Sequence, residues 1–166
     1  MGLRDLDLII VDGACGTNLQ TMAIPAAAWR GCEGCNELLN VSAPEVVQAL
    51  HRGFVDAGAQ VRETNTFGAN RIVLAEYGLQ DQVAAINAAA VANARAAAAG
   101  RPGVYVAGSV GPGTKLPSLG HIGVAELAEA IAGQVEALVA AGVDALILET
   151  CQDMLQVKTA DRKSTR

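Results

Sequence analysis

Aromatic and basic side chains are scarce in this chain. Of its 166 residues only one is Trp, two are Tyr and two are Phe, and the net charge is −5. So few aromatic rings argue against a surface on which nucleic acid bases stack, and the acidic balance argues against the basic stripe of a nucleic acid-binding protein. Hydrophobic residues make up 51% of the chain, so the core must be built from Ala, Val, Leu and Ile.

Long apolar runs and a recognisable targeting segment are also missing. No apolar stretch reaches the roughly 20 uncharged residues that a membrane-spanning helix needs. Asp5 and Asp7 stand near the N-terminus, where a signal peptide would carry basic residues. We therefore expect a cytoplasmic protein with neither a membrane nor a nucleic acid as its partner.

Cysteine is present but does not form a complete metal-binding pattern. The four cysteines are Cys15, Cys32, Cys35 and Cys151. In a cytoplasmic α/β chain such cysteines are more often free or metal-binding than bridged. Cys32 and Cys35 form a C-x-x-C pair, but no second pair supplies the remaining ligands of a tetrahedral zinc site. We interpret them as ordinary loop cysteines, with a zinc half-site as the alternative.

Short apolar runs alternate with helical patterns along the chain. The runs lie at residues 7–12, 60–65, 104–108 and 144–149. Their length and their polar ends predict buried strands of a parallel sheet, joined by right-handed helical crossovers. A faint repeat of helix end, glycine, strand and Glu-Thr at 56–64 and 140–150 supports this interpretation. The predicted fold class is α/β, with four βα units.

A capping pattern predicts where the first long helix begins. Ser42 precedes Ala43-Pro44-Glu45, so that Ser42 is predicted as the N-cap and Glu45 as its partner in a capping box. The helix is predicted to stop at Gly58.

Two acidic residues stand where the predicted strands end. The carboxyl ends of parallel strands form the ligand-binding rim of α/β folds, and Asp12 and Glu149 both lie there. Asp12 enters the Gly13–Thr17 turn, whose free N–H groups could hold an anion. A carboxylate beside such donors suits a zwitterion, with Asp12 binding an ammonium group and the amides binding a carboxylate. The alternative is that Asp12 caps the following helix or turn.

The other polar candidates differ in how many local partners they have. Glu149 has no Lys or Arg within eight residues, which favours a functional role over a salt bridge. Glu63 is a weaker candidate, because Arg62 and Arg71 are available as partners. Asn65 could bind a ligand or a neighbouring loop, as could Thr66.

Neither histidine belongs to a catalytic pattern. His51 is predicted to be a surface or partly buried packing residue. His121 lies in a long loop, residues 111–123, that is predicted at the ligand-binding rim. No Ser-His-Asp or Cys-His arrangement can be argued from spacing.

Five segments in order resemble a known family. They are residues 12–20 (DGACGTNLQ), 35–40 (CNELLN), 63–70 (ETNTFGAN), 108–120 (GSVGPGTKLPSLG) and 149–153 (ETCQD). Over residues 7–160 the chain resembles the homocysteine-binding module of cobalamin-dependent methionine synthases, which is a homocysteine S-methyltransferase domain. Cys15 stands where Met or Tyr is common in that family.

The resemblance implies a fold and a substrate site. The family fold is a (βα)₈ TIM barrel, of which residues 1–160 would supply about the first four βα units. Asp12 and Glu149 would hold the ammonium group of homocysteine, and the Gly13–Thr17 turn would hold its carboxylate. The implied homocysteine-binding residues are Asp12, Gly13, Gly16, Thr17, Asn65 and Glu149.

The resemblance also implies cofactors and partners. In the family, Zn²⁺ held by three cysteines binds the homocysteine sulfur as a thiolate, and those cysteines would lie beyond residue 160. A methionine synthase would take its methyl group from methylcobalamin, with folate- and cobalamin-binding modules downstream. We therefore expect a methyltransferase module truncated before its zinc ligands and inactive alone.

Two other functions remain open. One is a natural half-barrel that dimerises as an amino-acid-binding protein without catalysis. The other is a barrel enzyme that holds a divalent metal with Asp12, Glu63 and Glu149.

The last six residues depart from the pattern of the preceding helix. Residues 161–166 (DRKSTR) abandon its apolar stripe, and one permitted back-translation looks like the start of a common sequencing adapter. We interpret them as a non-native tail from read-through. A frayed natural C-terminus is the alternative.

Overall fold

Three parallel strands form the centre of the chain in a computed structural model that describes residues 2–5 and 7–164. The strands are β1 (Val61–Glu63), β2 (Tyr105–Val110) and β3 (Ala145–Leu148). Their order in the sheet is β1-β2-β3 and both pairings are parallel. The sheet is therefore open, and its carboxyl-end rim carries the residues that follow each strand.

Helices connect the strands and cover the sheet. In chain order they are α1 (Cys15–Thr21), α2 (Leu39–Ser42), α3 (Pro44–Asp56), α4 (Arg71–Ala75), α5 (Val83–Ala98), α6 (Val124–Ala140) and α7 (Met154–Ser164). The Ala-rich α5 packs between α3 and α6, and α6 packs against α7. Alanine favours helix and lets neighbouring helices approach closely. Among the described residues, no helix is long and apolar enough to cross a membrane.

The predicted first strand is the main correction to the fold. Residues 8–11 pair with β1 only through an isolated bridge at Val11, and Leu8 is 71% exposed. The N–H groups of Gln60 and Val61 both donate to the Ile10 carbonyl. A strand of a parallel sheet is buried when both of its faces and both of its edges are covered. This segment has a neighbour on one edge only, so the prediction of a buried strand at 7–12 is wrong.

The predicted capping box is also wrong, although the helix begins where expected. Ala43 is the N-cap of α3, Pro44 occupies its first turn, and no side chain caps it. The Ser42 hydroxyl instead donates to the Leu38 carbonyl at 3.0 Å, because Ser42 ends α2 and bonds back one turn. Gly58 follows the helix end with φ of 103°, a conformation that favours glycine.

Buried polar groups join the rim of the sheet to the core behind it. The Gln134 side chain on α6 donates to the carbonyls of Thr66 and Ser109, at 2.6 and 3.2 Å. Those carbonyls lie at the ends of β1 and β2. Below them, apolar residues of β2, α5, α6 and α7 form a cluster: Val91, Val110, Leu127, Ile131, Val135, Leu138 and Ala160. The rim therefore rests on a packed core.

The C-terminal tail is only partly described. Helix α7 continues to Ser164, while Thr165 and Arg166 lie outside the described residues. The boundary at residue 160, the non-native origin of the tail and the half-barrel dimer all stay predictions.

We expect Gly111→Ala to destabilise the chain by about 2 kcal/mol, because overpacking of a tight site typically costs that much. A Cβ at Gly111 would lie 2.6 Å from the Phe67 carbonyl oxygen, which already accepts a hydrogen bond from the Gly111 N–H. Urea unfolding measures the change. Gly133→Ala in α6 is the matched control, since nothing lies within 4 Å of its Cβ and Ala favours helix. Equal stability of Gly111→Ala and the unmodified chain would contradict the close approach.

Candidate functional site

A cleft of about 400 Å³ opens at the carboxyl-end rim of the sheet. The Gly13–Gly16 turn, the ends of β1 and β2, the residue after β3 and one side of α3 line it. Five of the six residues implied by the family resemblance lie in its wall: Asp12, Gly13, Gly16, Asn65 and Glu149. Thr17 is exposed on α1 and is not among the lining residues. The fold thus gathers residues from distant parts of the sequence at one cleft.

Asp12 is held in the cleft by the backbone of β1. Both of its carboxylate oxygens accept from the Glu63 N–H, at 3.1 and 3.2 Å. Burial raises the pKa of Asp12 to about 6, although this hydrogen bond and the Arg62 charge act in the opposite direction. No side chain caps α1, whose N-cap is Ala14, so the alternative role of Asp12 as a cap for that helix is wrong.

Glu149 lies opposite Asp12, directly after β3. The Ser109 hydroxyl donates to its Oε1 atom at 2.5 Å, and the Glu149 N–H donates to the Val110 carbonyl. The next residue, Thr150, has φ of 56°, which is uncommon for a residue with a side chain. Among the described residues, the ion pairs join Arg95 to Asp144 and Arg101 to Asp56, so Glu149 takes part in neither.

The structure gives Glu63 a larger role in the cleft than the sequence predicts, because the sequence offers Arg62 and Arg71 as its partners. Neighbouring residues of a strand point to opposite faces. Arg62 is fully buried on the helix side, where it donates to the carbonyls of His51 and Ala94. Glu63 faces the cleft, within hydrogen-bonding reach of Glu149. The alternation of side chains along β1 was the signal that could have identified it.

The protonation of Glu63 differs from that of an ordinary glutamate. Burial, followed by the charge and hydrogen bond of Glu149 and the charge of Asp12, raises the pKa of Glu63 to about 7. Three carboxyl groups therefore converge in the cleft, and those of Asp12 and Glu63 have pKa values raised toward neutral pH.

Ser109 was missed as well, and it belongs to a network that holds the rim together. The Thr64 and Thr66 hydroxyls lie 2.6 Å apart, and Thr66 donates to the Ser109 carbonyl at 2.7 Å. The Ser109 N–H donates to the Thr64 hydroxyl. This network fixes the backbone of Ser109, and the Ser109 hydroxyl in turn positions Glu149.

Asn65 forms hydrogen bonds with neighbouring segments of the chain. Its Nδ2 donates to the Asn36 carbonyl at 2.7 Å, and its Oδ1 accepts from the Cys15 thiol at 3.5 Å. Its own carbonyl accepts from Asn40. Of the two roles predicted for Asn65, these contacts are those of a residue that shapes the cleft wall.

The cysteines do not assemble a metal site. Burial and the nearby carboxylates raise the pKa of Cys15 to about 12, so its thiol is protonated at neutral pH. Cys35 is buried beside Glu37, and burial raises its pKa to about 11. Within the described part of the chain, no three His, Cys, Asp or Glu residues could hold a metal ion. These residues therefore do not fit a zinc site, and the hypothesis of a divalent metal at Asp12, Glu63 and Glu149 is wrong.

The two histidines lie in different surroundings. His51 is 2% exposed, and neither of its ring nitrogens has a partner among the described residues. Burial lowers its pKa to about 4, so its ring is neutral at pH 7 where it lines the α3 side of the cleft. His121 is exposed and does not line the cleft.

Comparison with known proteins gives matches over nearly the whole chain. The sequence profile of a family described as homocysteine S-methyltransferase matches residues 9–165. Methionine synthase of Mycobacterium tuberculosis is 42% identical over 176 aligned residues, which cover 99% of this chain and 15% of the relative. Methionine synthase of Mycobacterium leprae is 40% identical over 163 residues, covering 96% of this chain and 14% of the relative.

Solved structures of a smaller protein are similar in fold. The metallated form of the homocysteine methyltransferase MmuM from Escherichia coli superposes with a TM-score of 0.76 at 28% identity. The match covers 98% of this chain and 60% of that one. The oxidized form gives a TM-score of 0.76 at 27% identity. The chain thus spans a small part of the methionine synthases and three fifths of MmuM.

We expect Glu63→Gln to stabilise the chain at pH 8 by about 1 kcal/mol, a value reduced for the partial exposure of Glu63. The folded-state pKa of Glu63 is raised from 4.5 to about 7, so its carboxyl group costs stability increasingly as pH rises through that window. A neutral amide avoids this cost, and the two proteins should be nearly equally stable at pH 4, below the window. Chemical unfolding at both pH values measures the difference. Glu136→Gln, on the exposed side of α6, is the control, and a loss of stability in Glu63→Gln at pH 8 would refute the expectation.

Proposed function

Because the chain belongs to the homocysteine S-methyltransferase family, we propose that its cleft binds the amino-acid end of homocysteine in a methyl-transfer module of the methionine synthase type. The observation that carries the proposal is the convergence of Asp12, Glu63 and Glu149 in one cleft, where the described ion pairs include none of them. Clustered carboxyl groups without a basic partner need an external cation to be stable in the ionised form. The ammonium group of an amino acid is such a cation.

The backbone that follows Asp12 supplies donors for the carboxylate of the ligand. The Gly13–Thr17 turn leads into α1, and the first N–H groups of a helix have no partner within it. Gly16 lets this backbone approach the neighbouring loop, since a Cβ there would lie 3.1 Å from the Asn36 Nδ2. Amide donors beside carboxylate acceptors match the two charges of an amino acid. Contacts to both the ammonium group and the carboxylate fix the orientation of the ligand.

Activation of the sulfur lies outside what these residues provide. The described residues contain no group of metal ligands, so no step of methyl transfer is assigned to them. Zinc, methylcobalamin and the folate- and cobalamin-binding modules belong to the proposal for a whole protein of this type. The part assigned to this chain is to bind and orient homocysteine.

The binding proposal predicts measurable affinity for L-homocysteine by isothermal titration calorimetry. Asp12→Asn should weaken it about 10- to 100-fold, since a hydrogen bond to a charged group is worth about 1.5–3 kcal/mol. An asparagine can still accept from the Glu63 N–H, so the wall of the cleft is retained, and circular dichroism checks the fold. Glu136→Gln should bind like the unmodified chain. Unchanged affinity in Asp12→Asn would contradict the proposal.

The proposal also predicts that the 166-residue chain by itself forms no methionine. The physical reason is that a thiol is a weak nucleophile at neutral pH, and the described residues offer no metal site to deprotonate it. The assay supplies homocysteine, methylcobalamin and Zn²⁺, with a full-length methionine synthase as the positive control. Methionine formation above the protein-free background would refute this expectation.

A further inference from the structure

Glu63 and Glu149 approach each other in a way that two ionised carboxylates would not. Both side chains line the same cleft, and a hydrogen bond with Glu149 contributes to the raised pKa of Glu63. Glu149 also accepts from the Ser109 hydroxyl. An ionised carboxylate is only an acceptor, so a hydrogen bond between two carboxyl groups requires one of them to carry a proton. Like charges at this separation also disfavour double ionisation. Below about pH 7 the Glu63 carboxyl group therefore carries a proton that it can donate to Glu149.

Within the described part of the chain, no Lys or Arg side chain lines the cleft and could replace that proton. The titratable groups that line the cleft beside the pair include Asp12, whose carboxylate accepts from the Glu63 N–H, the neutral Cys15 thiol and the neutral His51 ring. Glu37 lies farther along the cleft, where its Oε1 accepts from the Gly68 N–H. Arg62 lies on the opposite face of β1, and its guanidinium is used by backbone carbonyls.

We propose that the ammonium group of the amino-acid ligand displaces the proton that Glu63 donates to Glu149, which makes Glu63 a residue that selects ligands carrying this cation. The O–H bond of the protonated carboxyl group breaks, its proton goes to the buffer, and the ammonium group keeps its own three protons. Both carboxylates are then ionised and share the cation. This inference rests on the proposed function, because it takes an amino acid as the ligand of the cleft.

The size of the effect follows from the protonation of the empty site. Burial and its acidic neighbours raise the pKa of Glu63 to about 7, so Glu63 is mostly protonated at pH 6.5 and ionised at pH 8.5. Binding should release close to one proton at pH 6.5, with a smaller share from Asp12, and nearly none at pH 8.5. The affinity for homocysteine should rise about fourfold over the same interval.

The experiment is calorimetric titration at each pH in two buffers of different ionisation enthalpy, which gives the number of protons released. The probes are L-homocysteine and 4-mercaptobutanoate, which has the same thiol and carboxylate but no ammonium group. Homocysteine should release the proton at pH 6.5, and 4-mercaptobutanoate should bind more weakly and release none. The shared thiol removes sulfur ionisation from the comparison.

Two variants assign the proton to a residue. Glu63→Gln keeps a donor toward Glu149 and an acceptor for the ligand, so it should bind homocysteine with little dependence on pH and release only the minor share from Asp12. Glu136→Gln should release as many protons as the unmodified chain. Because Glu63→Gln is expected to stabilise the chain at pH 8, unfolding of this variant would not explain a loss of binding. Circular dichroism verifies its fold.

The outcomes distinguish a failure of the inference from a failure of the proposed function. Binding of homocysteine without proton release at pH 6.5 overturns the inference and leaves the proposed function standing. Full proton release by Glu63→Gln also overturns it, because the proton then comes from another group. No binding of homocysteine at pH 8.5 overturns the proposed function and the inference with it.

Discussion

The parallel pairing of β1, β2 and β3 decides where Glu63, Ser109 and Glu149 lie in the cleft. Parallel strands carry their carboxyl ends to one edge, so residues far apart in sequence meet there. The pairing places Ser109, at the end of β2, between Glu63 on β1 and Glu149 after β3. The Gln134 side chain supports this edge from behind through the carbonyls of Thr66 and Ser109. The cleft is thus a consequence of strand register and helix packing together.

The carboxyl groups clustered at that edge lower the stability of the folded chain. Burial and the nearby negative charges raise the pKa of Asp12 to about 6 and that of Glu63 to about 7, so these two groups resist ionisation. Such a cluster costs folding free energy at neutral pH. Under the proposed function, the ammonium group of the ligand neutralises the cluster, and this cost is recovered as binding free energy.

The sequence predicts Asp12 and Glu149 as cleft residues, but it does not predict the roles of Glu63 and Ser109. Glu149 stood out because an unpartnered acid follows an apolar run, and Asp12 because a glycine turn follows it. Glu63 was discounted, since a count of nearby basic residues ignores the opposite faces of a strand. The buried first strand and the Ser42 cap were wrong because each depends on neighbours: residues 8–11 pair on one edge only, and Ser42 already ends α2.

The sequence by itself determined the α/β class, the helix–strand alternation and the family, because periodicity, turn residues and five ordered motifs are local properties of the chain. Only the tertiary structure decided which face Glu63 occupies, that Thr17 does not line the cleft and that the described cysteines form no metal site. It also decided the protonation of the cleft. Burial and distances between charges come from segments separated in sequence, so no local pattern contains them.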